Sequence, residues 1–259
     1  VLDVARDPRW GRMEETFGED PFLITALGIA YIKGLQSEDW TDGILATAKH
    51  FVGYSLPEGG LNWAPSHIPD RMLREVFITP FAAAIKEANV ASVMNGYQEI
   101  DGIPCGSSQK LLVDILRDEL DFQHTVVADY FTINMFVEYH RIAADKAEAA
   151  KFGLEAGIDI ELPASDCYGQ PLIDAIHAGD IKIDLVDTCV KRVLTQKIQL
   201  GLLENPYVDT GCIAEIYSDT APRQLSKTLA EKSLVLLKND NMTLPLSKSL
   251  KHIAVIGPG

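Results

Sequence analysis

The chain contains 259 residues, of which 47% are hydrophobic and 23% are charged, so it can bury a full hydrophobic core. Its formal net charge of −14 disfavours nucleic acid and anionic membrane surfaces as partners and favours small neutral or cationic ligands. No run approaches the roughly 20 apolar residues of a membrane-spanning helix. We expect a soluble protein, and the sequence leaves its compartment open between the cytoplasm and secretion.

Helical and strand patterns alternate along the chain, which is typical of an α/β fold. Apolar residues recur at intervals of three or four over residues 22–35, 70–87, 107–120, 143–156, 171–178 and 185–200, which predicts helices. Asp70 and Ser107 are predicted to cap the second and third of these helices. Short apolar runs predict strands over residues 44–48, 90–94, 126–129 and 158–162.

Polar side chains follow three of the predicted strands. Lys49 and His50 follow the first strand, Asn95 follows the second, and Asp129 ends the third. Several apolar strands that end in polar groups at one rim indicate a TIM-like (β/α) barrel with an active site at that rim. A carboxylate inside a buried strand would be costly, so we expect Asp129 where its strand ends and a cavity begins. An enzyme is the favoured interpretation.

Both ends of the chain are expected to be cut, because residues 1–4 resemble the tail of a strand and residues 253–257 the first strand of another unit. We therefore expect a (β/α) barrel domain over residues 1–203 that is truncated at its N-terminus. A linker packed on the barrel is predicted over residues 204–251, with a helix near residues 224–237. Residues 252–259 are predicted to start a second α/β sandwich domain.

Two further segments could carry chemistry. The adjacent donors of Lys49 and His50 suit a polyol or a phosphate, whereas Lys49 alone could form a Schiff base as in class I aldolases. Residues 6–20 are dense in charge, but the interleaved Pro8, Trp10 and Gly11 indicate a rigid loop held by internal ion pairs. Such a loop could aim one arginine at a ligand.

These residues resemble the signature segments of family 3 glycoside hydrolases, and the resemblance covers essentially the whole chain. The matching segments are Asp7-Pro8-Arg9-Trp10-Gly11-Arg12 with Glu15, Gly18, Glu19 and Asp20, Ala48-Lys49-His50-Phe51, Leu73-Arg74-Glu75 with Pro80 and Phe81, Ser92-Val93-Met94 with Tyr97, Gly102 with Pro104, Val127-Ala128-Asp129-Tyr130, residues 156–161 and residues 253–257. Residues 49–65 are most similar to the branch that holds β-glucosidases and β-xylosidases.

The resemblance implies an exo-acting, retaining β-glycosidase of the β-glucosidase type, which releases a non-reducing terminal sugar through a covalent glycosyl-aspartate intermediate. It implies that Asp129 is the nucleophile. The substrate-binding residues that it implies are Arg12, Lys49, His50, Met94, Tyr97 and Tyr130. It also implies that Arg74 and Glu75 form an interior ion pair beneath the site.

Two members of the family's site are expected outside this chain, namely an acid/base beyond Gly259 and a substrate-binding aspartate before Val1. We therefore expect the chain alone to hydrolyse ordinary glycosides poorly. The implied substrate is a small β-glycoside or oligosaccharide, and no metal or organic cofactor is implied. A β-xylosidase or α-L-arabinofuranosidase of the same family, a non-catalytic carbohydrate-binding descendant, and a homo-oligomer of the full-length protein remain open.

Overall fold

The computed structural model describes residues 1–257, and the chain divides into two compact units, Val1–Pro206 and a second unit that starts at Tyr207. The first unit combines helices with a parallel sheet, which confirms the predicted α/β class. Over residues 1–257, no helix is long and apolar enough to cross a membrane. Within the same range, no group of three or more His, Cys, Asp or Glu side chains could hold a metal ion.

The sheet contains three parallel strands, which are β1 (Thr47–Phe51), β2 (Ser92–Asn95) and β5 (Thr125–Val127), in the order β1-β2-β5. Between β2 and β5, the short strands β3 (Glu99–Ile100) and β4 (Ile103–Pro104) form an antiparallel pair. Val127 makes one parallel bridge to Ile160, so the strand predicted over residues 158–162 is reduced to a single pairing. The described strands form an open sheet, and a closed barrel stays a prediction.

The register of the sheet sorts its side chains into two rows. One row pairs Ala48, Val93 and Val126, which are 3%, 0% and 0% exposed. The next row pairs Lys49, Met94 and Val127, which are half-buried. Because side chains alternate across a strand, the first row packs into the core and the second lies on the opposite face. Asp129 lies two residues beyond Val127, where β5 has ended.

Helices cover the sheet at the predicted positions. The α-helices of the first unit are α1 (Pro21–Gln36), α2 (Asp70–Met72), α3 (Thr79–Ala88), α4 (Thr132–Glu138), α5 (Lys146–Glu155), α6 (Gln170–Ala178) and α7 (Ile183–Gln199). A π-helical segment at Leu73–Ile78 joins α2 to α3, and another at Lys110–Glu119 precedes β5. Helix α4 was not predicted. Helix α1 packs against α3, and α7 packs against α5 and β5.

The first predicted strand is displaced by three residues. We predicted residues 44–48, whereas β1 is Thr47–Phe51, so Lys49 and His50 lie inside the strand and not after it. The predicted strand begins too early because it includes Ile44 as a buried residue, whereas Ile44 is 71% exposed. The N–H of Ala46 donates to Oε1 of the buried Gln36 at 3.2 Å. This backbone group is therefore satisfied by a side chain and does not need a hydrogen bond from a neighbouring strand.

Both predicted helix caps are wrong by one residue. Pro69 has the extended backbone of a cap residue, with ψ of 145°, whereas Asp70 is already helical and accepts a hydrogen bond from Arg74 at 3.0 Å. Ser107 lies in a 3₁₀ turn, and it is Ser108 whose hydroxyl accepts the N–H of Leu111 at 3.3 Å. A cap requires a non-helical backbone, which composition alone does not locate.

The predicted interior ion pair between Arg74 and Glu75 is also wrong. Both side chains are exposed, and Arg74 binds Glu119 at 2.5 and 3.0 Å while Glu75 binds Arg71 at 2.9 Å. The residues that this helical segment buries are Leu73, Phe77, Ile78, Pro80, Phe81, Ala84 and Ala88. Helical periodicity therefore turns residues 74 and 75 away from the core.

The second unit contains α8 (Ile213–Ser218) and α9 (Thr220–Ser233), and Asp219 caps α9 by accepting the N–H of Ala221 at 2.9 Å. Helix α9 therefore starts and ends earlier than the helix predicted near residues 224–237. Residues 253–257, which were predicted to form a strand, pair with no other strand among residues 1–257. Pro258 and Gly259, which close the predicted segment 252–259, lie outside the described residues.

Two glycines offer a matched test of the fold. Gly60 has φ of +73°, and a Cβ there would collide with the Cβ of Arg9, whereas Gly34 lies in α1 with open space around it. We expect Gly60→Ala to lower the free energy of unfolding by about 1–3 kcal/mol through left-handed strain and the collision. Gly34→Ala should raise the same quantity by about 0.5–1 kcal/mol. Urea denaturation followed by circular dichroism measures both, and equal effects would show that a side chain at residue 60 is not strained.

Candidate active site

The carboxylate of Asp129 lies just past the end of β5 and is largely buried, with 8% of the residue exposed. Its Oδ1 accepts hydrogen bonds from the hydroxyl of Tyr97 and from the backbone N–H of Tyr130, both at 2.8 Å. Its Oδ2 is buried and has no hydrogen-bond partner among the described residues. One oxygen is therefore fixed by two donors, and the other keeps its lone pairs free.

The backbone around Asp129 is tied to the neighbouring strand. Asn95 at the end of β2 accepts the N–H of Asp129 at 3.4 Å and donates to the hydroxyl of Thr132 at 3.3 Å. The N–H of Thr132 donates to the carbonyl of Asp129 at 3.0 Å. Phe131 makes the turn into α4 with φ of +65°. These bonds set the direction in which the Asp129 side chain leaves the strand.

His50 in β1 links Asp129 to a second buried carboxylate. Its Nδ1 lies 2.7 Å from Oδ2 of Asp3, and both side chains are fully buried. The backbone N–H of His50 donates to the same oxygen of Asp3 at 3.2 Å. On the other side of the ring, Nε2 lies 3.4 Å from Oδ2 of Asp129 and 3.1 Å from Nη2 of Arg12.

Arg12 reaches His50 from the charged N-terminal loop, which contains the predicted internal ion pairs. Its guanidinium binds Glu15 through two hydrogen bonds of 2.6 and 2.8 Å and lies over the ring of Tyr54, 5.5 Å from its centroid. The hydrogen bonds from Arg12 lower the pKa of Glu15, and the charges of Arg12 and Lys49 lower it further. Glu15 is therefore a carboxylate that neutralises Arg12.

A second ion pair stiffens the same loop. Arg9 binds Asp7 through Nε at 3.0 Å and Nη2 at 2.7 Å. The side-chain and backbone hydrogen bonds from Arg9 hold the pKa of Asp7 at about 2. This pair makes no contact with Asp129 and serves to shape the loop that carries Arg12.

Tyr97 and Tyr54 form the aromatic wall behind these groups. Burial, and then the charge of Asp129, raise the pKa of Tyr97, so its hydroxyl stays protonated and donates. Burial also raises the pKa of Tyr54. The ring of Tyr54 lies 5.0 Å from that of His50 and 5.9 Å from that of Tyr97. Trp63, which is exposed, lies next to this wall, with its ring 5.6 Å from that of Tyr97.

Asn62 holds two buried aromatic side chains together. Its Oδ1 accepts the indole N–H of Trp10 at 3.1 Å and the hydroxyl of Tyr54 at 2.6 Å. Trp10 and Tyr54 are 1% and 0% exposed, so both donors need this acceptor. The loop after β1 is thereby joined to the N-terminal loop that carries Arg12.

The predicted site residues fall into two groups. Direct contacts join Arg12, His50, Tyr97 and Asp129. Lys49 and Met94 are register partners on β1 and β2 and are half-buried in the row that leads to Asp129. Tyr130 contacts Asp129 only through its backbone N–H, and 53% of the residue is exposed.

Sequence reasoning did not identify the parts played by Asp3 and Asn62. Asp3 carries a usable signal, because a carboxylate within the apolar run of residues 1–4 requires a buried partner, just as Asp129 does at the end of its strand. Asn62 carries no such signal, since an asparagine in a glycine-rich loop is ordinary turn chemistry.

Comparison with known proteins identifies the family of this chain. A model described as the glycosyl hydrolase family 3 N-terminal domain matches residues 1–196. The chain belongs to glycosyl hydrolase family 3. A β-xylosidase from Formosa agariphila is 42% identical over 99% of this family 3 chain, which covers 37% of that relative.

Two solved structures extend the comparison of the family 3 chain to its fold. A β-glucosidase from Erythrobacter marinus matches with a TM-score of 0.89 and 38% identity over 95% of this chain and 33% of its own. A β-glucosidase from Listeria innocua in complex with glucose matches with a TM-score of 0.87 and 34% identity over 95% of this chain and 34% of its own. The chain thus spans about a third of the length of the relatives it matches.

The shared acceptor of Asn62 can be tested by substitution. Asn62→Ala leaves the donors of Trp10 and Tyr54 without a protein acceptor, so it should lower the free energy of unfolding by about 1–3 kcal/mol. Asn62→Asp keeps an oxygen at the same place and is the matched control, with a smaller expected loss. Urea denaturation followed by tryptophan fluorescence measures both variants. An alanine variant as stable as the wild type would show that water replaces the acceptor.

Proposed function

We propose that this chain carries the nucleophile and part of the sugar-binding site of a retaining, exo-acting β-glycosidase. In this reaction Asp129 attacks the anomeric carbon of the non-reducing terminal sugar and forms a covalent glycosyl-enzyme, which water then hydrolyses. The observation that carries the proposal is the environment of Asp129. One oxygen is held by Tyr97 and Tyr130, and the other is free of hydrogen bonds from the described residues.

The hydrogen bonds to Asp129 suit a nucleophile. An attacking carboxylate has to be ionised and correctly oriented before the sugar arrives. Two donors on Oδ1 hold the carboxylate in one orientation and prevent its rotation. A carboxylate that only capped α4 would not need the hydroxyl of Tyr97, since a helix cap uses backbone N–H groups.

The surrounding polar groups suit a sugar. Arg12, Lys49 and His50 would hydrogen-bond the ring hydroxyls, and the guanidinium of Arg12 already lies 3.1 Å from the ring nitrogen of His50. Met94, together with the phenol ring of Tyr97, would line the pocket, and the exposed ring of Tyr130 offers a stacking face. The chain's relatives include a β-glucosidase whose structure was solved in complex with glucose.

The general acid is proposed to come from another part of the longer protein. A retaining mechanism needs a second carboxyl group about 5–5.5 Å from the nucleophile, and the acid must be protonated at working pH. Glu15 does not suit this role because Arg12 lowers its pKa. Asp3 does not suit it because its side chain is fully buried behind His50. Hydrolysis of an unactivated disaccharide by this chain alone should therefore be slow or absent.

The same proposal extends to the fold. The three parallel strands and the bridge at Ile160 are proposed to be one part of a (β/α) barrel over residues 1–203. Residues 204–251 are proposed to link it to a second α/β domain. The relatives, which are about three times as long as this chain, leave room for both.

A β-glucoside is the proposed substrate, and a β-xyloside is the alternative. The Erythrobacter marinus and Listeria innocua relatives are β-glucosidases, whereas the Formosa agariphila relative is a β-xylosidase. The two sugars differ by one hydroxymethyl group. A pocket rejects or accepts a group of this size by only about 1–3 kcal/mol, so direct competition between the two substrates is needed to decide.

Covalent trapping tests the proposed function. We expect 2-deoxy-2-fluoro-β-glucosides and xylosides with a dinitrophenyl leaving group to label Asp129, because such a leaving group departs without a general acid. Peptide mass spectrometry locates the adduct, and the faster probe identifies the sugar. Asp129→Asn is the control and should remain unlabelled. A folded protein that binds sugar without labelling would favour the carbohydrate-binding module, and borohydride trapping at Lys49 would favour Schiff-base chemistry.

Removing the hydroxyl of Tyr97 tests how Asp129 is held. A hydrogen bond to a charged group contributes about 1.5–3 kcal/mol, so Tyr97→Phe should slow the labelling of Asp129 on the order of 10- to 100-fold. Tyr139→Phe is the matched control, because the Tyr139 hydroxyl contacts only the carbonyl of Trp63 among the described residues, at 3.5 Å. Equal labelling rates for the wild type and Tyr97→Phe would show that Tyr130 alone orients the carboxylate.

A further inference from the structure

The two oxygens of Asp129 are treated differently by the protein. Oδ1 accepts two hydrogen bonds, while Oδ2 is buried without a partner among the described residues, although Nε2 of His50 lies only 3.4 Å away. A buried carboxylate oxygen without a donor is costly. A ring nitrogen at this distance could donate a hydrogen bond to Oδ2 if it carried a proton. The position of the proton on the His50 ring therefore decides whether Oδ2 accepts a hydrogen bond.

The contacts of His50 define that state. Nδ1 faces Oδ2 of Asp3 at 2.7 Å, and a carboxylate only accepts, so Nδ1 carries a proton. Nε2 faces Nη2 of Arg12 at 3.1 Å, and a guanidinium only donates, so Nε2 presents its lone pair. Both contacts are satisfied by one neutral tautomer, with its proton on Nδ1. In that tautomer Nε2 has no hydrogen to give to Asp129.

The opposite arrangement conflicts with the same distances. A proton on Nε2 could form the hydrogen bond to Oδ2 of Asp129, but it would face the N–H groups of Arg12 at 3.1 Å. If that proton replaced the one on Nδ1, the fully buried carboxylate of Asp3 would also lose its hydrogen bond from the ring. The backbone N–H of His50, which donates to Asp3 at 3.2 Å, holds the carboxylate at this edge of the ring.

We infer that Asp3 is a positioning residue that keeps His50 in the Nδ1-protonated tautomer, so that Nε2 donates no hydrogen bond to Oδ2 of Asp129 and the carboxylate keeps its electron density for the attack. The inference rests on the proposed function and adds a residue to it. Asp3 acts through His50 and does not touch Asp129.

The chemistry follows from the missing donor. In the proposed reaction the carboxylate of Asp129 forms the bond to the anomeric carbon, the bond from that carbon to the leaving oxygen breaks, and the leaving group departs with the electron pair. A hydrogen bond to Oδ2 would withdraw electron density from the carboxylate, whichever of its oxygens attacks.

Two substitutions of Asp3 separate the effect of its acceptor oxygen from the effect of its size. Asp3→Asn keeps an oxygen that can accept both N–H groups of His50, so the tautomer should be retained. Asp3→Leu has a similar size but offers no acceptor, so only Arg12 then opposes a proton on Nε2, and Oδ2 of Asp129 can accept that proton. Asp70→Asn is the matched control, because Asp70 is an exposed aspartate whose partners, Arg74 and Lys110, are not site residues.

The first measurement is the tautomer itself. In ¹⁵N-histidine-labelled protein, long-range ¹H–¹⁵N correlation spectra distinguish a protonated from an unprotonated ring nitrogen, and loss of a signal in His50→Gln assigns His50. We expect a protonated Nδ1 in the wild type, Asp3→Asn and Asp70→Asn, and a protonated Nε2 in Asp3→Leu. A protonated Nε2 in the wild type would overturn the inference, whether or not Asp3→Leu folds.

The second measurement is the labelling rate of Asp129 by the dinitrophenyl 2-deoxy-2-fluoroglycoside that reacts with the wild type. Asp3→Leu should label at least about tenfold more slowly, since the wrong tautomer of a catalytic histidine is strongly inhibitory in other enzymes. Asp3→Asn should be within a few-fold of the wild type, and Asp70→Asn should match the wild type. Thermal denaturation of each variant confirms folding, and a purely structural role for Asp3 would change the melting temperature without this pattern.

The two hypotheses fail in different ways. A wild type that labels at Asp129 together with a folded Asp3→Leu that labels equally fast would overturn the inference and leave the proposed function in place. A wild type that does not label would overturn the proposed function. The tautomer measurement is independent of both rates.

Discussion

The site depends on holding the carboxylate of Asp129 in one orientation while only 8% of the residue is exposed. A buried carboxylate is out of reach of most water, so the fold has to supply donors. Two groups with fixed positions supply them: a backbone N–H in the turn after β5, and the hydroxyl of Tyr97, which burial keeps protonated. Both donate to Oδ1, which fixes that oxygen and leaves Oδ2 without a donor among the described residues.

The sheet makes this arrangement possible because parallel strands end at a common edge. Register pairs β1 with β2 and β2 with β5, so a residue on any strand has a defined neighbour on the next. Asn95 at the end of β2 then holds the backbone of Asp129. Beneath the site, the buried carboxylate of Asp159 accepts from Arg117 and Arg192 at 2.8 Å each and from the N–H of Val126 at 2.8 Å. That network joins β5 to the helices around it.

Sequence patterns correctly predicted the features that depend on residues close to one another in the chain. Helical periodicity placed α1, α6 and α7 within two residues of their observed ends, and the rule against buried charge placed Asp129 at the end of its strand. Positions that depend on distant partners were missed. β1 was displaced because Gln36, ten residues earlier, binds Ala46, and Asp3 was overlooked because its partner His50 is 47 residues away. A single sequence shows which residue needs a partner but not which residue supplies it.

The loop after β1 and the N-terminal loop cannot vary independently. Asn62 binds Trp10 and Tyr54, and Tyr54 lies beneath the guanidinium of Arg12, so the position of Arg12 depends on a loop that is 50 residues further along. Trp63, the next residue in that loop, has φ of +73° and packs against Tyr97. A change in this loop would therefore move a proposed sugar-binding cation and disturb the ring that orients Asp129. The positions of Arg12 and of the Tyr97 ring are therefore coupled through one loop, because Asn62 binds Tyr54 beneath Arg12 while its neighbour Trp63 packs against Tyr97.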